Sequence, residues 1–206
     1  SVVCFVFIGI IIMTNYLTLC SQSPRRKQIL QDANYSFEVK SFKIEESFPV
    51  DMVKNKVAEF IAVQKNNHCQ KIFDKKNIIT ADTTVILEDE ILGKPNNYAE
   101  AKRMLERLSG QTHQVITGVC ISNTTQRFSF SSITDVSFKV LSSKEIKFYI
   151  DTFKPFDKAG GYGIQEWIGI IGVVGIRGCY YNVVGLPIQE LFQTLKDKFH
   201  ILPSNL

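Results

Sequence analysis

The chain has no Cys-x-x-Cys pair, and its five cysteines, Cys4, Cys20, Cys69, Cys120 and Cys179, leave one over. Both facts argue against a disulfide framework and for a reducing cytosol. The three histidines, His68, His113 and His200, stand at no zinc-ligand spacing from one another or from the cysteines, which argues against a structural zinc site. Cations exceed anions by only four and the lysines are scattered, so the basic stripe of a nucleic-acid binder is missing. That mild balance suits a small polyanionic ligand. Internal repeats and low-complexity blocks are also absent. No membrane span is expected: the apolar opening SVVCFVFIGIII has twelve residues, against the about 20 that a spanning helix needs, and it lacks the basic n-region of a signal peptide. With Met13 directly behind it, residues 1–12 are expected to be an upstream or non-native extension, and residues 13–206 one domain. A chain of 206 residues, 45% hydrophobic, suffices for a sizeable core.

What is present alternates strands with helices. Tyr16 to Cys20 is a short β-type run, and Pro24 then stands where a helix favours proline, with Ser23 as N-cap. Arg25, Arg26 and Lys27 follow, either as a solvated helix face or as cations beside the free N–H groups of a phosphate site. Phe37, Val39 and Ser41 alternate as a half-buried strand would. Glu45 and Glu46 precede Pro49, as a solvated helix lead-in or as metal ligands. Val53, Val57, Phe60 and Ile61 recur at helical spacing and predict a helix from Asp51 to about Asn66, with Lys65 a solvated lysine near its end and Asn66 to Asn77 a surface connection. Asn97 and Glu100 resemble a capping box for a helix carrying Ala101, Met104, Leu105 and Leu108 and closed by Gly110. Gln114 to Ile121 and Arg127 to Val140 are expected to be adjacent antiparallel strands. Ser142 or Ser143 caps a further helix, with Glu145 in its first turn. From Asp157 to Gly185 there are eight glycines among Ile and Val, a pattern of bulges and close backbone approach. A last helix from Pro187 carries Ile188, Leu191, Phe192, Leu195 and Phe199, and the chain is expected to fray from Ile201. The order predicts an α/β (mixed α+β) class with a twisted mixed sheet.

One stretch stands apart. In IITADTTVILEDEILGKP, from Ile78 to Pro95, an apolar β-type run carries a single acid, Asp82, into Thr83 and Thr84 and on into more apolar residues. A carboxylate among residues destined for a buried sheet needs a partner, a metal or a task. The alternative is a strand-end acid that caps a turn through its threonine neighbours. Pooled with Glu46, with Arg25, Arg26, Lys65, Lys94 and Lys158, and with Gln165 in the glycine-rich segment, Asp82 completes the inventory of a phosphate site. Carboxylates hold Mg²⁺ or Mn²⁺, cations neutralise phosphate, and a spare carboxylate takes a proton from water.

These residues fall in a series of motifs: Ser21-Gln22-Ser23-Pro24-Arg25-Arg26, Ala81-Asp82-Thr83, Gly93-Lys94-Pro95, Leu108-Ser109-Gly110-Gln111-Thr112-His113, Asp157-Lys158-Ala159-Gly160, Tyr162-Gly163-Ile164-Gln165 and Gly185-Leu186-Pro187. In this order, over about Leu17 to Leu195, the chain resembles the Maf proteins, nucleoside triphosphate pyrophosphatases related in fold to the inosine triphosphate pyrophosphatases. The resemblance implies an elongated mixed sheet between two lobes with a central cleft, commonly in a cytoplasmic homodimer. It implies that Asp82 accepts the proton and that Glu46, with Asp82, holds a divalent metal (Mg²⁺ or Mn²⁺). Lys65 and Lys94 contact the triphosphate, and Arg25, with Ser21, Arg26 and Lys158, joins the substrate contacts. The selectivity positions fall at Arg25, Thr83 and Gln165, a combination similar to the branch acting on dTTP and UTP over the branch acting on 7-methyl-GTP. The expected reaction is hydrolysis between the α- and β-phosphates to a monophosphate and pyrophosphate. The alternative is a nucleotide-binding regulator of septum formation with little turnover.

Overall fold

The computed structural model describes residues 16–42, 44, 46–73, 77–204 and 206; the expectations for residues 1–12 and Met13 lie outside them. Strand β1 (Leu17–Cys20) leads into helix α1 (Pro24–Asp32) and strand β2 (Phe37–Lys40); a 3₁₀ turn at Lys54–Lys56 then opens helix α2 (Val57–Ile72). Strands β3 (Asn77–Leu87) and β4 (Glu90–Leu92) form a hairpin, followed by helix α3 (Tyr98–Leu108) and the long strands β5 (Thr112–Ser122) and β6 (Arg127–Phe138). Helices α4 (Ser143–Phe153) and α5 (Trp167–Gly172), strand β7 (Val173–Arg177) and helices α6 (Tyr180–Val184) and α7 (Ile188–Thr194) complete the chain, with a π turn at Leu195–Phe199. Among the described residues no helix is long and apolar enough to cross a membrane.

The seven strands make one mixed sheet in the order β2-β1-β3-β5-β6-β7, with β4 on β3. Strand β1 runs parallel to β2 and β3, and the other pairs are antiparallel. Strands β3 and β5 belong to both of the large apolar clusters. Ile79, Ala81, Val119 and Ile121 pack with Leu17, Leu19, Leu30, Leu191 and Leu195. Val85, Leu87 and Val115 pack with Leu105, Leu108, Phe138, Ile146 and Tyr149. Between the clusters, both strands turn polar, at Asp82-Thr83 and at Thr117. The two lobes are therefore two cores threaded on one pair of strands, and the polar interval is where they part.

Several local expectations hold. Ser23 caps α1 by accepting from the Arg26 N–H, and Ser142, not Ser143, caps α4 in a complete capping box with Glu145. Others are corrected. The second helix begins at Val57 and runs to Ile72, so Asn66 and the residues after it are helical; Asn66 is fully buried, its amide donating to the Ile78 and Cys120 carbonyls. At α3 the Asn97 side chain caps Glu100 N–H, but the Glu100 carboxylate turns to Asn96 and not to the cap's own N–H. The tail does not fray at Ile201, which is buried, and Ser204 is tied to Asn34 by a backbone bond of 2.7 Å. Tertiary contact overrides the loss of helix there.

Candidate active site

The site begins as a gap in the sheet. Strand β1 pairs with β3 only from Asn77 to Ile79, and β4 pairs with it only from Val85 to Leu87. Thr80 to Thr84 therefore keep one hydrogen-bonding edge on β5 and leave the other open, between the end of β1 and the start of β4. Asp82 lies at the middle of this open edge, in an unbroken strand. The reading of a strand-end acid capping a turn is thereby overturned, since the turn comes at Glu88-Asp89, both at positive φ.

Because side chains alternate along a strand, Thr80 and Asp82 face α2 and Ala81 and Thr83 face the other way. On the first face the Thr80 hydroxyl donates to the Ala62 carbonyl of α2, and one turn further Lys65 reaches the acid. Lys65 Nζ lies 2.7 Å from Asp82 Oδ1 and 2.6 Å from Glu46 Oε1. Lys65 is thus a mostly buried clamp in mid-helix, and the expected solvated terminal lysine is corrected. Glu46 is drawn in from the loop before α2 and is no mere lead-in to a helix. The two acids respond oppositely. Burial pushes the Asp82 carboxyl above the usual range, against the pull of Lys65 and Arg26. At Glu46 burial acts in the same sense, but hydrogen bonding and attraction from Lys65, with Lys94 and Arg26 beyond, bring the carboxyl below its usual value.

A residue that sequence reasoning passed over makes this approach possible. Gly118 pairs with Asp82 across β3 and β5, and a Cβ there would lie 2.2 Å from the Glu59 nitrogen in α2. Only glycine lets the helix settle close enough for Lys65 to span to the sheet. The available signal was a glycine inside the β-run of Thr112–Ser122.

On the opposite face Arg26 fills the open edge. Its Nη1 donates to the Ala81 carbonyl at 2.9 Å, its Nε to the Gly185 carbonyl at 2.7 Å and its Nη2 to Thr83 Oγ1 at 3.0 Å. Burial lowers its pKa. Ser21 Oγ accepts the Ser23 N–H at 3.1 Å and lies 3.5 Å from Arg26 Nη1. Arg25 projects outward and crosses to the other lobe, where it pairs with Asp157 Oδ2 at 2.9 Å. Asp157 Oδ1 in turn takes the buried Lys158 ammonium at 2.6 Å, and Lys158 reaches Glu166 at 3.1 Å. Glu166 also accepts the Tyr149 hydroxyl, and that same oxygen receives the Gly163 N–H at 3.0 Å. This chain of contacts pins the loop that carries Gln165. Close backbone packing assists: a Cβ at Gly169 would sit 1.9 Å from the Ile164 carbonyl oxygen. Tyr162 is held from behind by His113 Nε2 at 2.7 Å.

One cleft of about 580 Å³ takes in Ser21, Arg25, Arg26, Glu46, Lys65, Asp82, Thr83, Lys94, Lys158 and Gln165, with Asp157 and Tyr162 also in its lining. Those ten residues are the ones the resemblance and the phosphate-site inventory named; of the other candidates, Lys27 does not line the cleft and Glu45 lies outside the described residues. The cleft has two ends of unlike chemistry, the ionic group around Lys65 and an uncharged wall of Thr83, Val115, Tyr162 and Val183 with Gln165. Among the described residues no three or more His, Cys, Asp or Glu side chains gather as a metal cage. Two hard-oxygen donors, Glu46 and Asp82, nonetheless suit Mg²⁺, which characteristically takes one or two carboxylates and completes its shell with water and substrate phosphate.

Residues 16–198 match the family model described as Maf-like protein. The chain is 48% identical over 182 residues to the dTTP/UTP pyrophosphatase of Phocaeicola vulgatus, an overlap of 87% of this chain and 94% of that protein. It is 45% identical over 185 residues to the dTTP/UTP pyrophosphatase of Porphyromonas gingivalis, covering 88% and 93% respectively. Among solved structures it is similar to the Staphylococcus aureus Ham1 protein, with 14% identity and a TM-score of 0.46 over 60% of this chain and 71% of that one.

Proposed function

The chain belongs to the Maf family, and on that footing we propose that it hydrolyses dTTP and UTP between the α- and β-phosphates, releasing the nucleoside monophosphate and pyrophosphate in the cytoplasm. The observation that carries this reading is the pairing of Asp82 and Glu46 on the single ammonium of Lys65 at the open edge of β3. Asp82 is the proton acceptor for the attacking water. Its raised pKa makes it a better base than an exposed aspartate, and general-base catalysis of this kind contributes about 10²- to 10⁴-fold. Lys65 and Lys94 share the charge of the triphosphate, with Arg25 and Lys158 on the opposite lip and Ser21 and Arg26 along the α1 side. A divalent metal held by Glu46 and Asp82 would supply further neutralisation of phosphate charge. Thr83 and Gln165 face the nucleobase. We also read the protein as a homodimer, supported by the exposed Val174 and Ile176 on edge strand β7 and Ile170 just before it.

The test is pyrophosphate release from a panel of triphosphates at fixed Mg²⁺. Wild type is expected to favour UTP and dTTP over CTP, ATP and GTP, and Asp82→Asn to bind dTTP while releasing almost no pyrophosphate. Near-normal turnover by that variant would refute the role of Asp82. Wild-type binding of dTTP without release would instead favour a regulator.

A further inference from the structure

The uncharged end of the cleft contains a hydrogen-bond chain whose direction is set from the protein interior. Asn182, on α6, is fully buried. Its amide orientation is dictated by its partners: Oδ1 accepts the Thr117 N–H at 3.1 Å, while Nδ2 donates to the Val115 carbonyl at 3.0 Å and to Thr134 Oγ1 at 2.8 Å. With the helix locked this way, the Asn182 backbone carbonyl, which can only accept, lies 2.9 Å from Thr117 Oγ1 and takes its proton. A hydroxyl has one proton and two lone pairs. Thr117 has given its proton away, so across the 2.9 Å contact with Thr83 Oγ1 it must accept, and Thr83 must donate. One lone pair of Thr83 is already taken by Arg26 Nη2 at 3.0 Å. What is left on Thr83 toward the cleft is a single lone pair, with no proton to offer.

We infer that Thr117 is a specificity-determining positioning residue: by taking the Thr83 proton it makes Thr83 an acceptor only, which selects pyrimidines with an N3–H, uracil and thymine, over cytosine. Cytosine presents a lone pair at N3, which would meet the lone pair of Thr83. Discrimination comes from a repulsive element as much as from the bond gained. The inference rests on the dTTP/UTP reading above and on Thr83 meeting the base.

The experiment compares kcat/KM for UTP and CTP in wild type, Thr117→Val and Thr117→Ser. Thr117→Val removes the acceptor and frees the Thr83 proton, so the UTP:CTP ratio is expected to fall about tenfold or more, through better use of CTP as well as poorer use of UTP. Thr117→Ser keeps the hydroxyl and is expected to hold the ratio within about twofold. Equal loss on both substrates in Thr117→Val, or an unchanged ratio, overturns the inference and leaves the proposed reaction standing. Failure of wild type to release pyrophosphate from UTP overturns both. A measurement that does not depend on folding of a variant uses wild type with N3-methyl-UTP, which keeps both carbonyls and lacks the N3–H. Loss of about tenfold or more in kcat/KM against UTP supports the acceptor role, and undiminished turnover overturns it.

Discussion

The two ends of the cleft are built from neighbouring residues, Asp82 and Thr83, and organised by opposite means. At the Asp82 end two carboxylates, of Asp82 and Glu46, share the one ammonium of Lys65, and their order is electrostatic: charges act through space and tolerate rearrangement. At the Thr83 end the contacts from Arg26 through Thr83 and Thr117 to Asn182 run through donors and acceptors of fixed sense. Such order is directional and is read by another donor or acceptor, not by a charge. A single strand supplies both because its successive side chains face opposite sides of a sheet that is open at that point. On the roles proposed above, charge handling and base reading are separated by one peptide unit.

The sharpest way to break the charged end is Asp82→Asn, with an expected loss of about 10²- to 10⁴-fold in kcat and little change in dTTP binding, measured by pyrophosphate release alongside calorimetry. Next comes Lys65→Met, for which about 10²-fold lower kcat/KM is expected. Without the ammonium, burial acts on Asp82 unopposed by its nearest cation, so its carboxyl rises further. The acidic limb of the pH–rate profile should move to higher pH, because the base must be deprotonated to work. A limb that stays in place would mean that Lys65 does not set the Asp82 charge.

Gly118→Ala tests whether the ends are mechanically separate. The added carbon meets the α2 backbone, so a loss of about 3 kcal/mol is expected in urea unfolding. KM for both UTP and CTP should rise together as Lys65 is pushed outward, leaving the UTP:CTP ratio unaltered. A changed ratio would show that the two ends are coupled. Of similar size but opposite location is the effect of pH on His113, whose pKa burial lowers from 6.5 to about 4. Between those values the unfolded chain binds a proton that the native imidazole refuses, so stability is full above pH 6.5 and falls as pH drops toward 4. The expected contribution is about 3 kcal/mol. In His113→Gln this part of the slope should vanish from unfolding free energies measured at pH 4 and pH 7. The smallest effect is the change of base preference in Thr117→Val.

Much of the local architecture was legible in the sequence because its causes are local. Ser23 before Pro24, and the pair Ser142-Ser143 ahead of Glu145, announce helix starts through bonds made within a few residues, although only the structure chooses Ser142 as the cap. The glycines after Asp157 announced close packing, which Gly169 against Ile164 displays. Where the causes were distant the pattern misled. Lys65 has the surroundings of a solvated lysine, and the polar letters after Asn66 look like a loop, yet Asn66 is buried by carbonyls from two strands that no helical period encodes.

The sequence by itself determined that an acid would sit in an apolar β-run with threonines beside it, that cations and glycines would follow in a set order, and that strands and helices would alternate. Those are properties of side chains and short spacings. Only the tertiary structure decided that Glu46 and Asp82 meet on Lys65, that Arg26 is turned inward, and that Thr83 faces the cleft as an acceptor. Each depends on where β1 ends and β4 begins along β3, and on how closely α2 approaches Gly118. These are matters of register and contact between residues tens of positions apart, for which a linear pattern carries no period.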